Sequence, residues 1–285
     1  MATRTISGTF GERLAARMRG RDTLVCVGLD PDPARFPAAI QAIDDPEEAI
    51  VAFAGGIVEA TADLACAFKP NLGFFLAHGA AGIRALERTR ALIPAEVPVV
   101  LDAKIGDIGS TAAAYARGVF DEWDFDAVTL NPYLGEDALA PFIDRPGRGA
   151  FILCKTSNPG SGDLQDLPLA DGEPLSRRVA ATIERWAESH PATLGLVVGA
   201  TWPGDLAAIR AICPDRPILL PGVGAQAGDL EGAVRAGIDG DRAGLLVSSS
   251  RAILYASSGD DWADRARDEA ARLRDAVNAI RHAAA

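Results

Sequence analysis

Lysine is nearly missing from this chain. Of its 28 basic residues only Lys69, Lys104 and Lys155 are lysine, and arginine supplies the rest. Where arginine is the default cation, each remaining lysine is a candidate for work that a planar, permanently charged guanidinium cannot do, such as proton donation. Histidine is as scarce. His78, His190 and His282 lie in or beside helical segments with no shared spacing, which argues against a zinc site or a Ser-His-Asp triad and reads them as surface or helix-end residues. The four cysteines, Cys26, Cys66, Cys154 and Cys213, lie far apart with no CxxC spacing, so they read as buried thiols in a reducing cytoplasm rather than ligands or bridges. No apolar run approaches the roughly 20 residues that span a bilayer. The opening MATRTISGTFGERLAARMRG is broken by charge, unlike a secretory signal. A net charge of −11 repels nucleic acid and anionic membranes alike, so any anionic small-molecule substrate has to be captured by local groups.

What is present is a long series of apolar runs. With 285 residues and 48% hydrophobic content the chain can bury a large core, and its length suits one α/β barrel of about 250 residues better than two small domains. A single domain over 1–285 is therefore expected. Eight β-rich runs recur, at 23–30, 65–70, 97–104, 126–132, 149–157, 194–201, 217–224 and 244–250. They are nearly continuous in apolar residues rather than alternating, as in strands covered on both faces of a parallel sheet. Helical spacing appears between them at 46–62, 74–92, 111–120 and 174–188, and again at 260–280. The pattern predicts a (β/α)8 TIM barrel with an N-terminal helix. It also has two long βα loops, at 31–46 and 158–174, both rich in proline, glycine and aspartate, which read as surface excursions or lids.

In such barrels the active site forms at the C-terminal ends of the strands, and here nearly every run ends in chemistry. Asp30, Lys69, Asp102 with Lys104, Asn131, Lys155 with Ser157, Pro221 to Gln226, and Ser250 with Arg251 all fall at or just past a strand end. The strongest signal is LDAKIGDIGST at 101–111. On an extended strand Asp102 and Lys104 share a face, and Asp107 follows where Gly106 and Gly109 allow a turn, so the lysine is expected between two carboxylates. The same spacing also fits a strand-end salt bridge followed by a helix cap. Flanking carboxylates would keep Lys104 protonated, making it an acid and disfavouring a Schiff-base aldolase, which needs a neutral amine. The second signal pairs LLPGVGAQAGD at 219–229 with VSSSRAI at 247–253. Glycine-freed N–H groups before a helix cradle phosphate without net positive charge, and barrel phosphate sites often use the loops after strands seven and eight. Asp30 before Pro31 and Lys69 before Pro70 could each be a simple turn or rim residue.

Taken together, DAKIGDI with its DxKxxD spacing, PGVGAQ and SSSRAI resemble the orotidine 5′-phosphate decarboxylase family, over about 24–255, and SNPGS with LNPYLGED resembles its longer bacterial subgroup. The resemblance implies decarboxylation of orotidine 5′-monophosphate to uridine 5′-monophosphate, without cofactor or metal. It implies catalysis by Asp102, Lys104 and Asp107, and ribose binding by Asp30 and Lys69. A pyrimidine contact falls to Ser157, and phosphate binding to Gln226 and Arg251 within loops that include Pro221 and Ser250. It further implies a homodimer with shared sites, in which Asp107, Ile108 and Thr111 come from the partner. Asn131 and Lys155 receive no role from it. Metal-dependent sugar-phosphate relatives share the DxKxxD pattern but place a glutamate at the second strand end, where this chain has Lys69, which opposes a divalent cation. A non-catalytic nucleotide-binding barrel is the remaining alternative, opposed by the intact Asp-Lys-Asp array.

Overall fold

Runs that are apolar on both faces cannot be satisfied by one covered face, and the chain closes them into a ring. The computed structural model describes residues 7–223 and 229–283. Its eight strands are β1 (Val25–Leu29), β2 (Ala67–Pro70), β3 (Val100–Ile105), β4 (Ala127–Leu130), β5 (Gly149–Lys155), β6 (Thr193–Val198), β7 (Ile218–Leu220) and β8 (Leu245–Ser249). All pair in parallel in the order β2-β1-β8-β7-β6-β5-β4-β3. Parallel bridges Phe68 to Val99 and Asn71 to Asp102 join β2 to β3 and complete the barrel. The expected (β/α)8 fold is therefore the observed one, and each strand falls within a run expected from the sequence or one residue beyond it.

The N-terminal helix α1 (Phe10–Arg21) starts in a capping box, with Thr9 and Glu12 each satisfying the other's backbone N–H. Phe10 is fully buried against Phe151 of β5, ring centroids 5.9 Å apart, and Arg13 reaches Asp126 just before β4 at 3.0 Å. This helix covers strand beginnings, so the strand C-terminal ends are left as the open mouth. A hollow of ≈ 360 Å³ between α1 and the 95–98 segment is edged by Arg13, Arg17, Asp126 and Glu96.

Around the barrel run α2 (Pro46–Thr61), α3 (Gly79–Leu92), α4 (Gly109–Arg117), α5 (Glu136–Ile143), α6 (Leu175–Ser189), α7 (Pro203–Ile212), α8 (Leu230–Gly237) and the long α9 (Trp262–Ala283). The helix expected over 74–92 is in fact two. A short helix Leu72–Leu76 stops, and α3 begins at Gly79, whose φ of +59° suits glycine. The two pieces pack so closely that a Cβ on Gly82 would lie 1.8 Å from the Phe75 carbonyl oxygen. The two long loops also carry structure of their own. The first holds turns at Pro33–Arg35 and Ala38–Gln41, the second at Pro159–Ser161 and Gly162–Gln165. Phe36 of the first loop stacks on Phe53 of α2 at 4.3 Å, and Phe53 in turn on Trp262 of α9 at 5.2 Å, which ties that loop to the barrel wall.

All four cysteines are buried and free. Burial pushes the Cys26 and Cys213 thiols up to about 12, so they are inert packing groups, as expected. Among the described residues no helix is long and apolar enough to cross a membrane.

Candidate active site

Lys69 is the next-to-last residue of β2 and is only 4% exposed. Its Nζ lies 2.9 Å from Asp102 Oδ2, and Lys104 Nζ lies 2.5 Å from Asp102 Oδ1. One carboxylate is thus held between two ammonium groups. Burial alone would raise the Asp102 pKa, but Lys69 and Lys104 outweigh it and hold the carboxyl well below the usual carboxylate range. Burial alone would lower Lys69, but Asp102 and then Asp30 push it above the ordinary lysine value.

Lys104 reaches Asp102 by a route that strand alternation does not anticipate. Its φ is +50°, in the left-handed region, and the β3–β4 register skips from Leu101 to Ile105. A bulge therefore aims the ammonium, at a cost of roughly 1–2 kcal/mol for a non-glycine residue in that region. The expectation of a lysine between two carboxylates of one chain is corrected. Among the described residues Lys104 forms an ion pair with Asp102 alone. Asp107 turns away, its Oδ1 accepting the Ile108 N–H at 2.8 Å.

A hollow of ≈ 220 Å³ opens beside this array, lined among others by Asp30, Lys69, Asp102, Ser157, Pro221, Ser250 and Arg251. Seven expected site residues thus meet in one place, drawn from β1, β2, β3 and the ends of β5, β7 and β8. Gly28 makes this possible on one side, since a Cβ there would lie 1.8 Å from Ser250 Oγ. Asp30 Oδ1 is buried without a hydrogen-bond partner among the described residues, an acceptor with unused capacity. Gln226 lies outside the described residues. Ile108 and Thr111 do not reach the hollow. Ile108 is 59% exposed, and Thr111 edges a separate apolar hollow of ≈ 320 Å³ with Leu72, Ile105, Tyr115 and Trp123.

Sequence reading missed several residues. Thr129 sits inside the apolar run of β4 and donates its hydroxyl to Asp102 Oδ1 at 3.0 Å. Tyr255 donates to the Asp30 carbonyl at 2.9 Å and accepts the Asp32 N–H at 2.7 Å, so it anchors the turn that presents Asp30. Burial pushes its phenol up to about 12. Asn71, Ser248 and Ser249 also line the hollow. Of the two residues without a role, Asn131 caps the turn after β4, accepting the Tyr133 N–H at 3.1 Å. Lys155 is 1% exposed and pairs with Asp166 of the second long loop at 2.5 Å. His190 is also more than a surface residue, since Asp144 and Glu136 bracket its ring at 2.6 and 3.0 Å.

A closed parallel barrel with charged groups converging beside a hollow at its strand C-termini defines an α/β-barrel enzyme. Residues 23–265 match the model of the orotidine 5′-phosphate decarboxylase / HUMPS family. A protein named orotidine 5′-phosphate decarboxylase from Thermomicrobium roseum is 54% identical over 274 residues, covering 96% of each chain. Another of that name from Roseiflexus castenholzii is 55% identical over 95% of this chain and 97% of its own. The solved structure of Leishmania donovani OMP decarboxylase superposes with a TM-score of 0.83 at 38% identity, covering 96% of this chain and 99% of that one. The chain belongs to the orotidine 5′-phosphate decarboxylase family, lyases of pyrimidine biosynthesis.

Proposed function

We propose that this chain, acting as a single-domain barrel in a cytoplasmic homodimer, decarboxylates orotidine 5′-monophosphate to uridine 5′-monophosphate without cofactor or metal, and that Lys104 is the proton donor to C6. The observation that carries the reading is the Asp102 carboxylate fixed between Lys69 and Lys104 at the wall of the hollow. Loss of CO2 from C6 leaves an electron pair on carbon with no adjacent sink, so fixed charge must lower most of the barrier. A substrate carboxylate set beside Asp102 is repelled. Asp102 cannot relieve the crowding by taking up a proton, because its lysine partners hold it ionised. The repulsion ends when CO2 departs, while the attraction of Lys104 for the developing carbanion grows, and the same ammonium then delivers the proton.

The rest of the hollow suits a ribonucleotide. Asp30, with its unpartnered oxygen, and Lys69 serve the ribose hydroxyls, Ser157 the pyrimidine, and Pro221, Gln226, Ser250 and Arg251 the phosphate. Asp107, Ile108 and Thr111 act in the partner's site. In support, among the described residues Lys104 pairs with Asp102 and not with Asp107 of its own chain, and Ile108, next to Asp107 in the chain, is 59% exposed.

A spectrophotometric assay of orotidine 5′-monophosphate tests the reading. Turnover is expected with EDTA present, and Lys104→Ala is expected to abolish it in a folded protein. Activity that vanishes with EDTA and returns with Mg2+ would sink the metal-free mechanism. More than a trace of turnover in the variant would remove Lys104 as donor.

A further inference from the structure

The bulge that aims Lys104 leaves backbone groups without ladder partners, and one side chain takes them up. Between Leu101 and Ile105 no residue of β3 is in register with β4. The N–H groups of Ala103 and Lys104 both donate instead to Thr129 Oγ1, each at 2.9 Å. The same hydroxyl donates its proton to Asp102 Oδ1 at 3.0 Å, the oxygen that also holds Lys104 Nζ. A threonine hydroxyl has one proton and two lone pairs, and here all three are used. Thr129 is buried in a strand whose four residues are all buried, so no solvent competes for these bonds.

From this we infer that Thr129 is a positioning residue for decarboxylation, locking the left-handed backbone of Lys104 and the rotamer of Asp102 as one unit. Two independent demands meet on one atom. An unusual backbone conformation at a non-glycine residue persists only where its surroundings over-determine it, and Thr129 is the side chain that bonds its N–H. The carboxylate that faces the ammonium must also hold one orientation, and Thr129 donates to the oxygen the ammonium uses. Valine at this position would keep the shape and the β-branch while removing every bond. Serine would keep the bonds and remove only a methyl group.

The inference rests on the proposed reaction for its readout, and the experiment separates the two. Wild type, Thr129→Val and Thr129→Ser are compared by steady-state decarboxylation of orotidine 5′-monophosphate and by thermal unfolding. The valine variant, assayed well below its unfolding temperature, is expected to lose about 10- to 100-fold in kcat, the scale on which small misplacements act. Its KM should stay within about threefold, because Thr129 bonds to Asp102 and to the Ala103 and Lys104 backbone and to none of the residues assigned to ribose and phosphate. Serine is expected to restore kcat to within about threefold of wild type, since every bond is kept. Full kcat in a folded valine variant would overturn the inference, as would serine and valine variants equally impaired, or a loss confined to KM. Should valine prevent folding, Thr129→Ala, which removes the hydroxyl without added bulk, is read by the same criteria. A wild type with no turnover would refute the proposed reaction and this role with it, whereas an active wild type beside an unimpaired valine variant would refute the role alone.

Discussion

Removing Asp102 leaves the buried Lys69 ammonium without the carboxylate it is hydrogen-bonded to. Loss of a single partner from such a pair costs roughly 3 kcal/mol or more, so Asp102→Ala is expected to lower stability by about that much near neutral pH. The pH dependence follows from the two directions. Asp102 has a depressed pKa in the folded chain, so its contribution is present above the unfolded value of about 4 and fades as pH falls through the lower folded value. Lys69 has a raised one, so its contribution is complete below the ordinary lysine value and is lost only as pH climbs through the folded value. Denaturant unfolding of wild type and variant should therefore show a constant gap from about pH 5 to pH 9 that narrows in acid. A gap already closing at pH 7 would contradict the ionised pair. These two residues were legible in the sequence because a lysine and an aspartate at strand ends are conspicuous where lysine is rare. Thr129 was not, because a hydroxyl inside an apolar strand looks like ordinary strand composition until its three bonds are seen.

The second long loop is bolted to the barrel rather than draped over it. Lys155 at the end of β5 pairs with Asp166, while the Thr156 N–H donates to Gln165 Oε1 at 2.8 Å and Gln165 Nε2 donates to Thr156 Oγ1 at 2.9 Å. Trp202 covers the Lys155 ammonium at 5.2 Å and donates to the Thr156 carbonyl at 3.2 Å. The bolt sits two residues before Ser157, so loop and ligand hollow are linked through one short stretch of chain. The two ends of the ion pair differ, since Asp166 is half exposed and Lys155 is not. Asp166→Ala leaves a buried cation stranded and should cost about 1–3 kcal/mol, whereas Lys155→Met removes that cation and frees an aspartate that water can solvate, at a cost below about 1 kcal/mol. Both should open the 158–174 loop to limited proteolysis. The reverse order of stabilities would show that the loop is held by something else. Strands were readable at this scale because continuous apolar runs bounded by Gly, Pro and Asp leave few options. The bulge at 102–104 was not, because it depends on Thr129, distant in sequence from Lys104, and the break at 77–79 was not, because helical spacing runs across it and the packing of Gly82 on Phe75 exists only in the folded chain.

At the scale of the molecule the proposed sharing of sites makes a prediction that one chain alone cannot meet. Lys104→Ala and Asp107→Ala should each be nearly inactive as pure dimers. In a mixed dimer with shared sites, one site carries both lesions and the other carries neither. After random subunit exchange about half of the dimers are mixed, so activity should return to about a quarter of wild type by two-fold symmetry. Were both residues to serve one chain's site, every site would hold a lesion and mixing would restore nothing. A mass-tagged chain shows that exchange has occurred, and no recovery after proven exchange would refute sharing. The barrel itself could be read from the rhythm of the sequence, but where Asp107 acts could not, since adjacency along the chain suggested its own Lys104 and the fold turns it elsewhere.

The scarcity of lysine has a practical consequence for anyone handling this protein. Lys69 and Lys155 are sealed in the barrel at 4% and 1% exposure, while the Lys104 side chain is 47% exposed in one chain. An amine-directed label, crosslinker or immobilisation resin therefore finds one side-chain amine within reach, and it is the one proposed above as the proton donor. Because all four thiols are buried too, attaching a dye or surface without silencing the protein calls for a handle introduced away from the barrel mouth. Conversely, protection of that single amine by a bound nucleotide makes acylation mass spectrometry a direct occupancy meter.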